Sequence, residues 1–126
     1  MITYVDTSTL LKLVVEETGS DVAAVIWDLA DALASVGLVV VEARAALAAA
    51  RRAGRLTADQ HREVKREAEA LIEELHLVDV GDGLIAAAAG LAEVDGLRGY
   101  DAVHLAGALC EAASGRGLHV ANPLDG

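Results

Sequence analysis

The sequence predicts a three-layer α/β/α sandwich with a central parallel sheet, built as a single domain over residues 1–126. Three observations carry that expectation. Short apolar runs of strand character alternate with longer runs at helical spacing, the pattern of a parallel sheet whose connections are helices. The 126 residues are 54% apolar, enough for a sizeable core in one domain. The first strand-like run, Ile2–Val5, ends on an acid, Asp6, and ligands of open α/β sheets bind beyond the carboxyl ends of the strands.

After that strand, residues Ser8 to Glu17 are expected to form a first helix, and Gly19-Ser20 supplies a break and an N-cap. Val22, Val25, Ile26, Leu29 and Leu33 then recur at helical spacing and are expected to be the buried stripe of a second helix. A strand is placed near Ala32–Val36. The helix after it, Leu38 to Ala53, is apolar almost all round in its first half, and Gly54 is suited to end it. Thr57 and Gln60 have the spacing of a capping box that opens a helix with Val64, Ala68, Leu71, Ile72 and Leu75 on one face. A strand near Leu77–Val80, a helix over Leu84–Glu93, a helix from Tyr100-Asp101 to about Gly115 and a strand at Leu118–Ala121 complete the order.

The composition narrows function. The chain has no Phe, and Trp27, Tyr4 and Tyr100 are its only aromatics, so it lacks a surface on which bases stack. No apolar run is long enough to span a bilayer and no secretion signal is evident, which predicts a cytoplasmic protein with no membrane association. The single cysteine, Cys110, excludes an intrachain disulfide and is expected to be a small buried residue. Twenty acids against ten bases give a net charge of −10, which repels nucleic acid unless a metal ion or a local basic strip intervenes. Arg44, Arg51, Arg52 and Arg55 are candidates for such a strip, or for a solvated helix face.

Two further acids stand in apolar company as Asp6 does: Glu42 in the helix after the second strand, and Asp101 at the start of the late helix. All three can face one end of the sheet. Two carboxylates about 4 Å apart repel by about 4 kcal/mol at an effective dielectric near 20 unless a proton or cation lies between them. Clustering therefore calls for a metal, and oxygen-only ligation suits Mg²⁺ or Mn²⁺. Taken singly, Asp6 and Asp101 are equally suited to cap the helices that follow them, and Glu42 to favour a helix N-terminus. His104 lies one turn beyond Asp101, where it either hydrogen-bonds a site carboxylate or is a core histidine satisfied by backbone.

The runs DTSTLLK from Asp6, EARAAL from Glu42 and LRGYDAVHLA from Leu97, in this order, resemble the successive acidic motifs of PIN-domain ribonucleases, above all the VapC toxins of bacterial toxin–antitoxin pairs. The resemblance implies a PIN-like fold and an endoribonuclease that cleaves RNA phosphodiester bonds with metal-activated water. It implies Mg²⁺ or Mn²⁺ held by Asp6, Glu42 and Asp101, with Ser8 supporting Asp6. It also implies a cognate small antitoxin and a homodimer. Departures from the family pattern concentrate at the end of the chain, where Asn122 best fits the fourth site position, with Asp125 three residues on, and Val120 replaces a hydroxyl residue; Val36 likewise replaces a common Ser ahead of Glu42. The alternative is a degenerate PIN scaffold acting only through protein contacts. Receiver-type phosphoacceptors fit less well, since they want an acidic pair after strand one and a lysine after a late strand, whereas the lysines are Lys12 and Lys65.

Overall fold

Four parallel strands carry the molecule: β1 (Ile2–Val5), β2 (Ala32–Val36), β3 (His76–Val78) and β4 (Leu118–Ala121), in the spatial order β3-β2-β1-β4. The computed structural model describes residues 2–15, 20–113 and 118–121, of which residues 112–113 and 118–121 are described as backbone alone. Register pairs Tyr4 with Ala34, Val36 with Val78 and Val5 with Ala121, so the strands finish at a common edge. The helices are α1 (Thr7–Val14), α2 (Ser20–Leu29), α3 (Leu38–Arg52), α4 (Ala58–Glu73), α5 (Asp82–Asp95) and α6 (Gly99–Ala113).

The pleat sends alternate strand side chains to opposite faces, and each face has its own core. On one, Val5 packs with Leu10, Val39, Ala43 and Leu75, joined by Leu33, Leu77, Ile26 and Leu71 from the strands and from α2 and α4. On the other, Tyr4, Ala34 and Val36 meet Ala108 of α6 together with Leu84 and Val103, and α5 is seated on α6 through Ala88, Ala102 and Ala106. Alanine supplies much of this second core. Small side chains let helix and sheet approach closely, and burying a Leu or Val in either core contributes roughly 1.5–3 kcal/mol.

Local signals set most of the element ends. Asp6 caps α1, its side chain accepting the Thr9 N–H, and Thr57 and Gln60 make both bonds of the capping box at the start of α4. Gly54 takes φ +78 and Gly96 takes φ +66, the left-handed conformation that a glycine after a helix adopts without strain.

Several expectations need correction. The first helix stops at Val14 rather than Glu17, because Val15 turns to extended backbone; residues 16–19 lie outside the described residues. The third strand is His76–Val78, starting one residue before Leu77 and ending before Val80, which is exposed. Helix α5 starts at Asp82 and runs to Asp95, longer at both ends than Leu84–Glu93. The α2 stripe is only partly buried. Ala23 is enclosed and Ile26 and Trp27 touch the core, whereas Val22, Val25 and Leu29 are exposed and Leu33 belongs to β2. Such a helix is apolar on more than one side, so periodicity alone does not choose the buried face. Cys110 is exposed for the same reason: α6 turns Ala102, Ala106 and Ala108 inward, and Leu109 and Cys110 outward. Among the described residues no helix is long and apolar enough to cross a membrane.

Candidate active site

At the edge where β1 and β2 end, a cleft of about 460 Å³ opens between α1, α3 and α6. Asp6, Glu42 and Asp101 all line it, with Tyr4, Thr7, Ser8 and His104, and Leu11, Ala46, Leu105 and Ala108 form its apolar walls. The three acids come from the end of β1, the second turn of α3 and the first turn of α6. Among the described residues, no lysine or arginine lines it.

Asp6 leaves the strand and turns at once into α1. Its Oδ1 accepts the backbone N–H of Thr9 at 2.9 Å and the Ser8 hydroxyl at 3.3 Å. Helix capping and a place in the cleft are therefore compatible roles, and Oδ2 takes part in neither bond. Glu42 repeats the arrangement. Its Oε1 accepts the Thr7 hydroxyl at 2.9 Å and lies 2.6 Å from His104 Nε2, and neither of these donors uses Oε2. His104 is buried, and its Nδ1 lies 3.1 Å from the Tyr4 hydroxyl, so the ring is held by side chains on both nitrogens rather than by backbone. Asp101 is exposed at the rim.

Tyr4 is itself buried. Burial pushes the phenol pKa well above its ordinary value, and the neighbouring Asp6 and Glu42 carboxylates push it the same way. Tyr4 thus stays a neutral hydrogen-bond donor across the ordinary pH range.

Lining one cleft is not the same as converging on one point. Among the described residues no three Asp, Glu, His or Cys side chains come together closely enough to hold an ion as they stand. Helix capping draws Asp6 toward Thr9, His104 and Thr7 draw Glu42 inward, and mutual repulsion keeps uncompensated carboxylates apart. The donor chemistry nonetheless fits a hard divalent cation: oxygen ligands, with one oxygen of each of two acids fixed by the protein and the other left over.

Other candidates stand elsewhere. Strand β4 ends at Ala121, the register partner of Val5, and Asn122 and Asp125 lie outside the described residues. Arg44 pairs with Glu69 of α4 at 3.2 Å on the surface, and Arg51, Arg52 and Arg55 are exposed beyond it toward the far end of α3. His76 faces Glu111, away from the cleft. Sequence reasoning assigned no site role to Tyr4 and included Thr7 only as part of the DTSTLLK run. The available signal was Tyr4's rarity as one of three aromatics, placed two residues before the first acid.

The sequence profile of the PIN domain matches residues 3–114. Two curated relatives from Mycobacterium tuberculosis, Ribonuclease VapC45 and Ribonuclease VapC49, are each 42% identical over 106 residues, covering 84% of this chain and 74% of theirs.

Proposed function

The chain belongs to the PIN-domain family, and from that membership we propose that it is an endoribonuclease toxin of a toxin–antitoxin pair, dependent on Mg²⁺ or Mn²⁺ bound by Asp6, Glu42 and Asp101. The observation that carries the reading is the cleft itself, three carboxylates from three elements with no lysine or arginine beside them among the described residues. An RNA phosphodiester is repelled by such a site until a cation neutralises it, which also answers the objection raised by the net charge of −10.

When bound, a divalent ion supplies Lewis acidity toward the phosphodiester and acidifies water enough to attack at neutral pH. The chain's own residues prepare the place. The Thr9 N–H and Ser8 hydroxyl orient Asp6, while the Thr7 hydroxyl and His104 orient Glu42. Asp101 completes the set from the rim, and Leu11, Leu105 and Ala108 limit water at the apolar wall. No side chain is needed as nucleophile. Asn122, or Asp125 in its place, is proposed to add oxygen ligation.

A small antitoxin is the proposed partner, a basic side chain of which would find the acidic cleft complementary, and a homodimer and a cytoplasmic location complete the reading. The competing scaffold reading draws on the lack of a converged ligand set among the described residues. One experiment separates the two. Asp6→Asn keeps the helix cap because Asn and Asp cap equally well, Glu42→Gln keeps an acceptor for Thr7 and His104, and Asp101→Asn alters an exposed group. Each should fold as the parent does, bind Mn²⁺ more weakly and lose most RNA cleavage. Parent-like cleavage by all three variants would overturn the site assignment. A parent that binds Mn²⁺ no better than the triple variant would establish the scaffold.

A further inference from the structure

We infer that Tyr4 and His104 form a buried positioning pair that holds the Glu42 carboxylate by Oε1 and leaves Oε2 for the incoming cation. The inference rests on the reading of Glu42 as a metal ligand and adds to it how that ligand is aimed.

The geometry runs as a chain of side chains from the core to the cleft. His104 Nε2, 2.6 Å from a carboxylate oxygen, is the nitrogen that carries a proton, since a bare ring nitrogen would face the carboxylate lone pairs. The opposite nitrogen, Nδ1, then takes its hydrogen bond from the Tyr4 hydroxyl at 3.1 Å. Tyr4 is 1% exposed and His104 9%, so the bond between them is shielded from competing water, while the bond from His104 to Glu42 is partly buried at the cleft. The rings meet nearly edge to face at 79°, with centroids 6.1 Å apart, which further fixes the imidazole plane. Thr7 adds a second donor to the same Oε1. With two donors on one oxygen, rotation of the carboxylate would break both bonds, so the orientation of Oε2 is set before any ion arrives.

The space for this pair is built into α6. A Cβ on Gly107 would lie 2.9 Å from the Tyr4 hydroxyl oxygen and 3.3 Å from the Val36 Cβ. Gly107 is one turn beyond His104, so the same helix presents the imidazole and clears room for the phenol that orients it. A histidine with a structural role alone would be served as well by any side chain that filled the volume; a positioning role requires the N–H at Nε2.

His104→Leu removes both bonds but keeps an apolar filler. His104→Gln places an amide N–H at the position of Nε2, and Tyr4→Phe removes only the hydroxyl. Calorimetric Mn²⁺ titration should find His104→Leu weaker than the parent by about 10-fold or more, the size typical for loss of a hydrogen-bond partner behind a metal ligand, and His104→Gln within about threefold of it. Nitrogen-15 spectra of the histidine rings give a second, metal-free reading: Nε2 protonated in the parent and in Tyr4→Phe, with the Nδ1 resonance of Tyr4→Phe shifted by loss of the phenol hydrogen bond. Mn²⁺ binding that Glu42→Gln abolishes but His104→Leu leaves unchanged would overturn the positioning role alone. A proton on Nδ1 with Nε2 bare would overturn the geometry of the pair. Absence of Mn²⁺ binding by the parent would sink the metal reading itself and this role with it. Should His104→Leu fail to fold, weak Mn²⁺ binding by a folded His104→Gln would overturn the inference equally well.

Discussion

Gly107→Ala tests how tightly α6 is seated on Tyr4. The new methyl group would meet the Tyr4 hydroxyl at 2.9 Å, Val36 Cβ at 3.3 Å and Tyr4 Cε2 at 3.4 Å. The first contact is closer than Cβ atoms tolerate, and Tyr4, enclosed by sheet and helix, has no solvent to swing into. Overpacking of this kind costs roughly 1–3 kcal/mol. Against it stands the helix propensity of Ala over Gly, worth about 1 kcal/mol in a helix interior. The net expectation is a loss of up to about 2 kcal/mol. For a domain of this size that lowers the melting temperature by up to roughly 10 °C. The same substitution in a Tyr4→Phe background removes the 2.9 Å contact and keeps the propensity gain, so there it should be close to neutral. The assay is a double-mutant cycle by urea or thermal unfolding, in which the propensity term cancels and a coupling of about 1 kcal/mol remains. Equal destabilisation in both backgrounds, within about 0.5 kcal/mol, would refute the claim that the hydroxyl is pinned beneath Gly107.

Other expectations can be checked with the same protein. Tyr4 has its folded pKa raised above the unfolded value near 10, so the folded state holds the proton more tightly; stability is fully present below about pH 10 and lost as pH rises through it. Tyr4→Phe should therefore show a shallower decline between pH 10 and 11 in chemical denaturation, and identical slopes would remove Tyr4 as the cause. Thr57→Ala deletes the hydroxyl half of the capping box and should cost about 0.5–2 kcal/mol without changing Mn²⁺ affinity, since neither Thr57 nor any residue of α4 lines the cleft. Arg44→Ala breaks an exposed ion pair with Glu69 and should change stability by less than about 1 kcal/mol, measured by thermal melting in low and high salt. Asn122→Asp adds a charge at the fourth proposed site position and should tighten Mn²⁺ binding at neutral pH; unchanged affinity would make Asp125 the next residue to substitute.

The sequence by itself determined whatever depends on near neighbours. The capping box needs only Thr57 and Gln60 three residues apart, the end of α3 needs a glycine free to adopt positive φ, and the alternation of strand and helix runs follows from chain stiffness and burial along one segment. β2 and β4 match their expected limits for that reason. The ordered acidic motifs also made the family legible, because each acid keeps a fixed place in the order of elements, at the end of β1 and near the starts of α3 and α6. What joins distant segments was decided only by the tertiary structure. Periodicity did not tell which side of α2 is buried, since Val22 and Val25 are as apolar as Ile26. Nor did it show that Cys110 is turned outward on a helix apolar over most of its surface. The clearest case is the bond between Tyr4 and His104, 100 residues apart. It exists because strand register brings β1 beside β2 and because the small side chains of α6 let that helix settle close to the sheet. Neither residue carries a local mark of the other. The physical reason is general: local propensities act over a few residues, whereas packing of a helix on a sheet selects partners by volume and distance, and that selection is made only when the whole core closes.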